Sequence, residues 1–132
     1  MQSDKSDLIK LAIEKSQNSL SEAEDNFKID YFAVVLNRIY YSVFYIVTAL
    51  AYKYNFVTSK HSQLKSWFNR KFIYEDKIFD TEMLKTYEES FAYRQKSDYD
   101  LRFIPDVKLV KDLLFDAKKF VKSIEDFLYD QE

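Results

Sequence analysis

Apolar side chains recur every three or four residues in the first segment, which predicts a helix from Asp7 to Phe27. Its apolar positions are Ile9, Ile13, Leu20, Ala23 and Phe27, and Ser16 fills the missing turn. The next segment, residues 31–56, is apolar almost all round, which predicts a central buried helix. Its longest charge-free run has 14 residues (39–52), short of the ~20 that a membrane span requires.

Three more segments have one apolar face each. Thr58 and Ser59 are the predicted caps of a third helix, whose face contains His61, Leu64, Phe68 and Phe72. Asp80 is the predicted cap of a fourth, whose face contains Leu84, Tyr87, Phe91, Arg94 and Asp98. Pro105 suits the first turn of a fifth, which is lined by Val110, Leu114, Ala117, Val121, Ile124 and Leu128.

The chain contains no glycine and one proline, so tight hairpins and glycine-rich phosphate loops lack their usual residue. Its 132 residues suffice for one hydrophobic core. We therefore predict an all-α fold, an antiparallel bundle of four to five helices, formed by a single domain over residues 1–132.

The balance of 20 basic and 22 acidic residues gives a net charge of −2, so RNA binding requires a local basic cluster. Without cysteine and with one histidine, neither a thiolate nucleophile nor a multi-histidine metal site can form; we expect no metal and no cofactor. The polar start QSDKSD does not resemble an export signal, which predicts a cytoplasmic protein.

Arg94 and Tyr99, in the stretch FAYRQKSDYDLRF, are the first candidates for chemistry. The planar guanidinium of Arg94 matches phosphate oxygens two at a time, although a pair with Asp98 at i+4 is the structural alternative. Tyr99 is a poor base at neutral pH, with a pKa of ~10, but its hydroxyl can donate a proton. Alternatively, its buried ring closes the end of the core.

Four other positions have both a structural and a functional interpretation. Arg38, inside the most apolar helix, pairs with a carboxylate such as Asp98 or contacts phosphate. Tyr41, on the same face, packs in the core or stacks on a base. His61 is a hydrogen-bonded core residue unless the fold places it beside Arg94. The one basic cluster is a solvated face or a docking surface for RNA or an acidic partner; it comprises Lys60, Lys65, Arg70 and Lys71.

Four stretches in order resemble the HEPN domain superfamily, in particular its small stand-alone prokaryotic members. They are NRIYYSVFYIVTAL (37–50), TSKHSQLKSWFNRKFI (58–73), RQKSDYD (94–100) and the closing helix (106–128). The resemblance implies a helical bundle that commonly forms a homodimer. It also implies either a metal-independent endoribonuclease toxin or a non-catalytic companion, with a nucleotidyltransferase as partner or antitoxin.

The nuclease motif of that family is an arginine followed, after four to six residues, by a histidine. In this chain Tyr99 stands where the histidine is expected after Arg94. One hypothesis is a toxin in which Arg94 holds the scissile phosphate, Tyr99 positions the nucleophile or leaving group, and Arg38 assists. The other is an interaction protein, which predicts an exposed apolar patch and an Arg94 held in an internal ion pair.

Overall fold

The computed structural model describes residues 2–130, with side chains from Asp4 onward. Five α-helices follow one another: α1 (Gln2–Lys28), α2 (Phe32–Lys53), α3 (His61–Phe68), α4 (Thr81–Tyr99) and α5 (Val107–Asp130). A π-helix, Asn69–Glu75, continues directly from α3. Within these residues there is no β-strand, so the predicted all-α bundle is confirmed.

Helix α2 is the centre of the bundle and packs against the other four α-helices. It is long and apolar enough to cross a membrane by composition, but 56% of its most apolar window is buried inside the fold, as in the core helix of a folded domain. Helix α1 packs closely along it. At their contact the hydroxyl of Ser16 donates a hydrogen bond to the carbonyl of Ser42 (2.7 Å), so the polar residue in the α1 stripe is satisfied.

Of the three residues predicted to cap helices, Thr58, Ser59 and Asp80, only Asp80 does so. The Asp80 carboxylate accepts a hydrogen bond from the backbone N–H of Glu82, as a cap of α4 should. Thr58 and Ser59 do not cap α3: the capping position is Lys60, and Thr58 instead accepts from the backbone N–H of Lys60. The Thr58 hydroxyl therefore accepts a bond in the turn ahead of α3 and does not cap the helix.

The prediction that Pro105 lies in the first turn of α5 is also wrong, because α5 begins at Val107. The Asp106 carboxylate accepts from the backbone N–H of Leu109 at 3.4 Å and so occupies the capping role just ahead of the helix. Helix α1 starts at Gln2, before the expected Asp7, and α4 continues through Tyr99.

Between residues 2 and 130, three residues have left-handed backbone angles: Asp30 (φ 61°), Asn55 (φ 59°) and Lys77 (φ 51°). They follow α1, α2 and the π-helix, where a glycine commonly ends a helix. Aspartate and asparagine tolerate this conformation better than most residues. The chain thus makes the turns that its composition disfavours by using polar residues.

Rings from α3, the π-helix and α5 meet in one tightly packed group, which we call the phenylalanine core. Phe68 lies 5.7 Å from Phe72 and 5.6 Å from Phe120 between ring centroids, and Phe72 lies 6.0 Å from Phe127. Phe79 completes the group. Phe68, Phe72 and Phe120 are essentially inaccessible to solvent, so this group is a structural core.

Candidate functional site

A second aromatic group contains charged residues and lies nearer the surface. Tyr40 and Tyr41 project from the middle of α2, His61 is the first residue of α3, and Arg94 comes from the last turns of α4. We call these four residues the Arg94 cluster. Tyr40 is fully buried and the other three are partly exposed. Tyr40 therefore forms a buried floor, and the other three side chains lie partly exposed above it.

Arg94 is held by the two tyrosine rings. Its Cζ lies 5.1 Å from the ring centroid of Tyr40 and 5.2 Å from that of Tyr41, within the range of cation–π attraction. Its Nε lies 3.3 Å from Oδ2 of Asp98 but has no acceptor in hydrogen-bond geometry among the described residues. The guanidinium is thus positioned by the two rings and not by a hydrogen bond from Nε.

His61 and Arg94 both contact Tyr40 and Tyr41 and lie close enough for the Arg94 charge to act on the imidazole, so the condition set for a functional histidine is met. Nδ1 of His61 is 2.8 Å from the hydroxyl of Tyr40, and its ring stacks on Phe44 at 4.2 Å between centroids. Because a tyrosine hydroxyl can donate or accept, Tyr40 can hold either neutral tautomer of the imidazole. The ring is therefore fixed in orientation while it stays partly open to solvent.

The electrostatics keep His61 uncharged. Burial lowers the pKa of His61 below its ordinary value of 6.5, and the positive charge of Arg94 lowers it further. Burial raises the pKa of Tyr40, and the Arg94 charge opposes that rise only in part. At neutral pH the cluster therefore offers a neutral imidazole, a neutral phenol and one fixed positive charge.

Arg38 lies against Tyr41, one of the two tyrosine rings that Arg94 contacts. Its Cζ is 5.2 Å from the ring centroid of Tyr41. Its Nε and Nη2 donate to the side-chain oxygen of Asn37 at 3.0 and 2.8 Å, and its Nη1 lies 3.4 Å from a carboxylate oxygen of Glu22. The expected carboxylate partner of Arg38 is thus Glu22, not Asp98.

The two candidate lysines differ in their surroundings. Lys65 donates to Glu88 at 2.8 Å and lies 5.1 Å from the centroid of Phe91, whose ring in turn contacts Tyr40. It therefore borders the Arg94 cluster. Lys60 is exposed, and its backbone bonds to the Thr58 hydroxyl and to the N–H of Leu64.

Tyr99 lies apart from the Arg94 cluster and makes none of the contacts that define it. It is the last residue of α4, and its side chain is 75% exposed, so the expectation of a buried ring at the core end is wrong. Five residues along an α-helix correspond to a rotation of about 140°, which turns Tyr99 away from the face of Arg94. A role for Tyr99 in chemistry stays a prediction, and His61 is the better placed group.

Sequence reasoning did not single out Tyr40, although it contacts every other member of the cluster. Helical spacing indicates only Tyr41, three residues after Arg38, as the tyrosine that faces that arginine, so the sequence offered no comparable signal for Tyr40. Among the described residues no group of three or more His, Asp or Glu side chains could hold a metal ion. The cluster can bind an anion and exchange a proton.

The HEPN domain family model matches residues 9–127 of this chain, which covers every member of the Arg94 cluster and all five helices in whole or in part. Its match extends over well more than half of the sequence. The chain therefore belongs to the HEPN domain family, and the resemblance inferred from its motifs is confirmed.

Two curated relatives are similar over long stretches. A protein of Methanocaldococcus jannaschii named "Putative toxin MJ0142" is 36% identical over 88 residues, which is 67% of this chain and 59% of that protein. A "UPF0332 protein" of Thermotoga maritima is 32% identical over 116 residues, 88% of this chain and 87% of that protein. The chain thus matches the Thermotoga protein over nearly its full length and the Methanocaldococcus protein over little more than half.

Proposed function

We propose that this chain is a toxin-like HEPN protein that binds RNA through its phosphates at the Arg94 cluster and cleaves it without a metal ion. The observation that supports this best is the guanidinium of Arg94, which two tyrosine rings hold beside a histidine of lowered pKa. A permanent positive charge next to a proton-accepting group is what phosphodiester cleavage requires.

The cleavage step uses the ribose 2′-hydroxyl as nucleophile. His61 accepts its proton on Nε2 while Nδ1–H donates to the oxygen of Tyr40, and the 2′-oxygen bonds to the adjacent phosphorus. The bond from phosphorus to the 5′-oxygen breaks, and that oxygen takes a proton from the imidazolium formed in the first half of the step. The products are a 2′,3′-cyclic phosphate and a 5′-hydroxyl, and Arg94 stabilises the phosphoryl charge throughout.

The family and the name of the Methanocaldococcus relative support the toxin-like role. We propose a cytoplasmic homodimer in which two clusters form one cleft, with a nucleotidyltransferase as the antitoxin. The isolated Arg94 cluster is partly exposed, which leaves room for a second copy or an RNA strand beside it.

Incubation of the purified protein with mixed structured and single-stranded RNA in the presence of a metal chelator tests the proposal. We expect fragments with cyclic phosphate ends. Substitution of Arg94→Gln or His61→Gln should lower the rate by about 100-fold or more, since positioned proton transfer and charge stabilisation each contribute that much. Sequencing of the fragment ends identifies the cleavage positions.

Two matched variants serve as controls. Arg70→Gln removes an arginine that is exposed on the π-helix and pairs with Glu75, so it should cleave normally. Tyr99→Phe should also cleave normally if His61 is the proton-transfer group. Intact RNA after incubation with folded wild-type protein, or full activity of Arg94→Gln, contradicts the nuclease proposal.

Exposed apolar residues support a second function, an interaction module without chemistry of its own. Leu101 and Ile104, between α4 and α5, are 103% and 85% exposed, and Val107 follows at 52%. The 3.3 Å contact between Arg94 Nε and Asp98 Oδ2 also supports this second function. Co-expression with a nucleotidyltransferase encoded beside the gene, followed by gel filtration, tests it: Leu101→Ser with Ile104→Ser should abolish a complex that Arg94→Gln leaves intact.

A further inference from the structure

Two arginines from different helices contact the same tyrosine ring. Arg38 of α2 and Arg94 of α4 each place Cζ 5.2 Å from the centroid of Tyr41. Their guanidinium carbons are therefore no more than about twice that distance apart, and both side chains are mostly buried, with 27% and 19% of the surface exposed. Two positive charges so close to each other favour an anion with more than one negative group.

Each of these arginines is also in contact with one carboxylate in an imperfect geometry. Nη1 of Arg38 lies 3.4 Å from Glu22, and Nε of Arg94 lies 3.3 Å from Asp98 without a hydrogen bond. Neither contact is the bidentate pairing that guanidinium and carboxylate form when they bind strongly. Both carboxylates are more exposed than their arginines, so solvent or a competing anion can replace them.

We infer that Arg38 and Arg94 hold two phosphates of the same RNA strand and that these phosphates displace Glu22 and Asp98. This inference rests on the proposed RNA-binding function and specifies how the strand lies. A nucleotide or two of extended single strand bridges the separation of the guanidiniums. Glu22 and Asp98 act as resident anions that lower the affinity of the free protein for RNA.

The same geometry gives Tyr41 a different role from base stacking. Its ring is contacted by the rings of Tyr40, Phe44 and His61 as well as by the two guanidiniums, so no base can stack on it without displacing one of them. Tyr41 instead sets the separation of the two arginines. Recognition through phosphates alone carries no base preference, so the site selects flexible single strands rather than a sequence.

Binding of a 2′-O-methyl oligouridylate of about ten nucleotides tests the inference, because this probe cannot be cleaved through its 2′-oxygen. The dissociation constant is measured by fluorescence anisotropy between low and moderate salt. If each arginine contacts one phosphate, Arg38→Gln and Arg94→Gln should each reduce the slope of log affinity against log salt by about 0.7. Arg38→Lys, which keeps the charge, should restore most of that slope.

Neutralising the resident carboxylates should have the opposite effect. Glu22→Gln and Asp98→Asn are each expected to tighten binding about twofold or more, the worth of one exposed ion pair. Asp126→Asn is the matched control: it removes one negative charge from an exposed i,i+4 pair with Lys122 on α5, and should change affinity less. Unfolding midpoints confirm that each variant is folded.

The outcomes separate this inference from the function on which it rests. Absence of binding by folded wild-type protein overturns the proposed function and the inference together. Binding that depends on Arg94 but keeps its full salt slope in Arg38→Gln overturns only the two-phosphate arrangement. Equal affinities for Asp98→Asn, Glu22→Gln and Asp126→Asn overturn the displacement of resident carboxylates.

Discussion

The phenylalanine core and the Arg94 cluster are both aromatic groups within one bundle, but they are built from different side chains. The first consists of phenylalanine rings, and three of them are completely buried. The second combines phenols, an imidazole and a guanidinium, which cost more to desolvate and are less completely covered. The difference shows that aromatic surface stabilises the fold in one place and orients charge in the other.

Truncation of the phenylalanine core should have the largest effect on stability. Phe68 contacts Phe72, Phe79, Tyr87 and Phe120 and has no exposed surface. Phe68→Ala is expected to lower the free energy of unfolding by about 3–5 kcal/mol, through lost burial and the cavity left behind. Urea denaturation measures it. A loss below about 1 kcal/mol would mean that neighbouring rings refill the space.

Titration of the one histidine should distinguish the two groups next, because only the Arg94 cluster contains a titrating side chain near neutral pH. The pKa of His61, followed by NMR, should lie below 6.5, so the uncharged form required for cleavage is present at neutral pH and is lost as the pH falls through that lowered pKa. Below it, the cleavage rate should fall about tenfold per pH unit.

The same titration contains an internal check. Arg94→Gln removes the charge that disfavours imidazolium but leaves the burial, so the pKa of His61 should rise toward 6.5 without exceeding it. In the wild-type protein the lowered pKa means that His61 binds a proton more readily in the unfolded chain than in the native one. The free energy of unfolding should therefore decline as the pH drops below about 6.5. An unchanged pKa of His61 in Arg94→Gln contradicts the electrostatic influence of Arg94 on the imidazole.

Removal of single hydroxyls should give the smallest effects, with different results in the two regions. Tyr87, fully buried beside the phenylalanine core, has a hydroxyl without a hydrogen-bond partner among the described residues, so Tyr87→Phe should leave stability unchanged or raise it slightly. Tyr40→Phe removes the bond to His61 and should cost about 1 kcal/mol. Thermal unfolding of both variants measures the difference; equal effects would contradict it.

The fold was predictable because hydrophobic periodicity and missing glycine act over many residues. The central burial of α2 and the cap at Asp80 followed directly from the sequence. The ends of helices were less predictable, since the Thr58 hydroxyl bonds to the backbone of Lys60 ahead of α3, and Asp106, after Pro105, takes the capping role of α5. The π-helix after α3 gave no sequence signal that we could identify.

The candidate site was only partly predictable, because it joins residues far apart in the chain. Arg94 was placed correctly on an inward face, but the importance of His61 depended on where α3 begins relative to α4. Tyr99 was favoured by its distance in sequence from Arg94, whereas helical rotation separates the two. Pairing of Arg38 with Glu22 required knowledge of how α1 lies along α2.

The absence of glycine also affects the chain before it folds. Every residue has a side chain that restricts its backbone, so the unfolded ensemble samples fewer conformations and loses less entropy on folding than a glycine-containing chain of the same length. The left-handed conformations of Asp30, Asn55 and Lys77 offset part of this stabilisation, because each costs a residue with a side chain roughly 1 kcal/mol. The bundle thus derives part of its stability from the restricted conformations of its unfolded state.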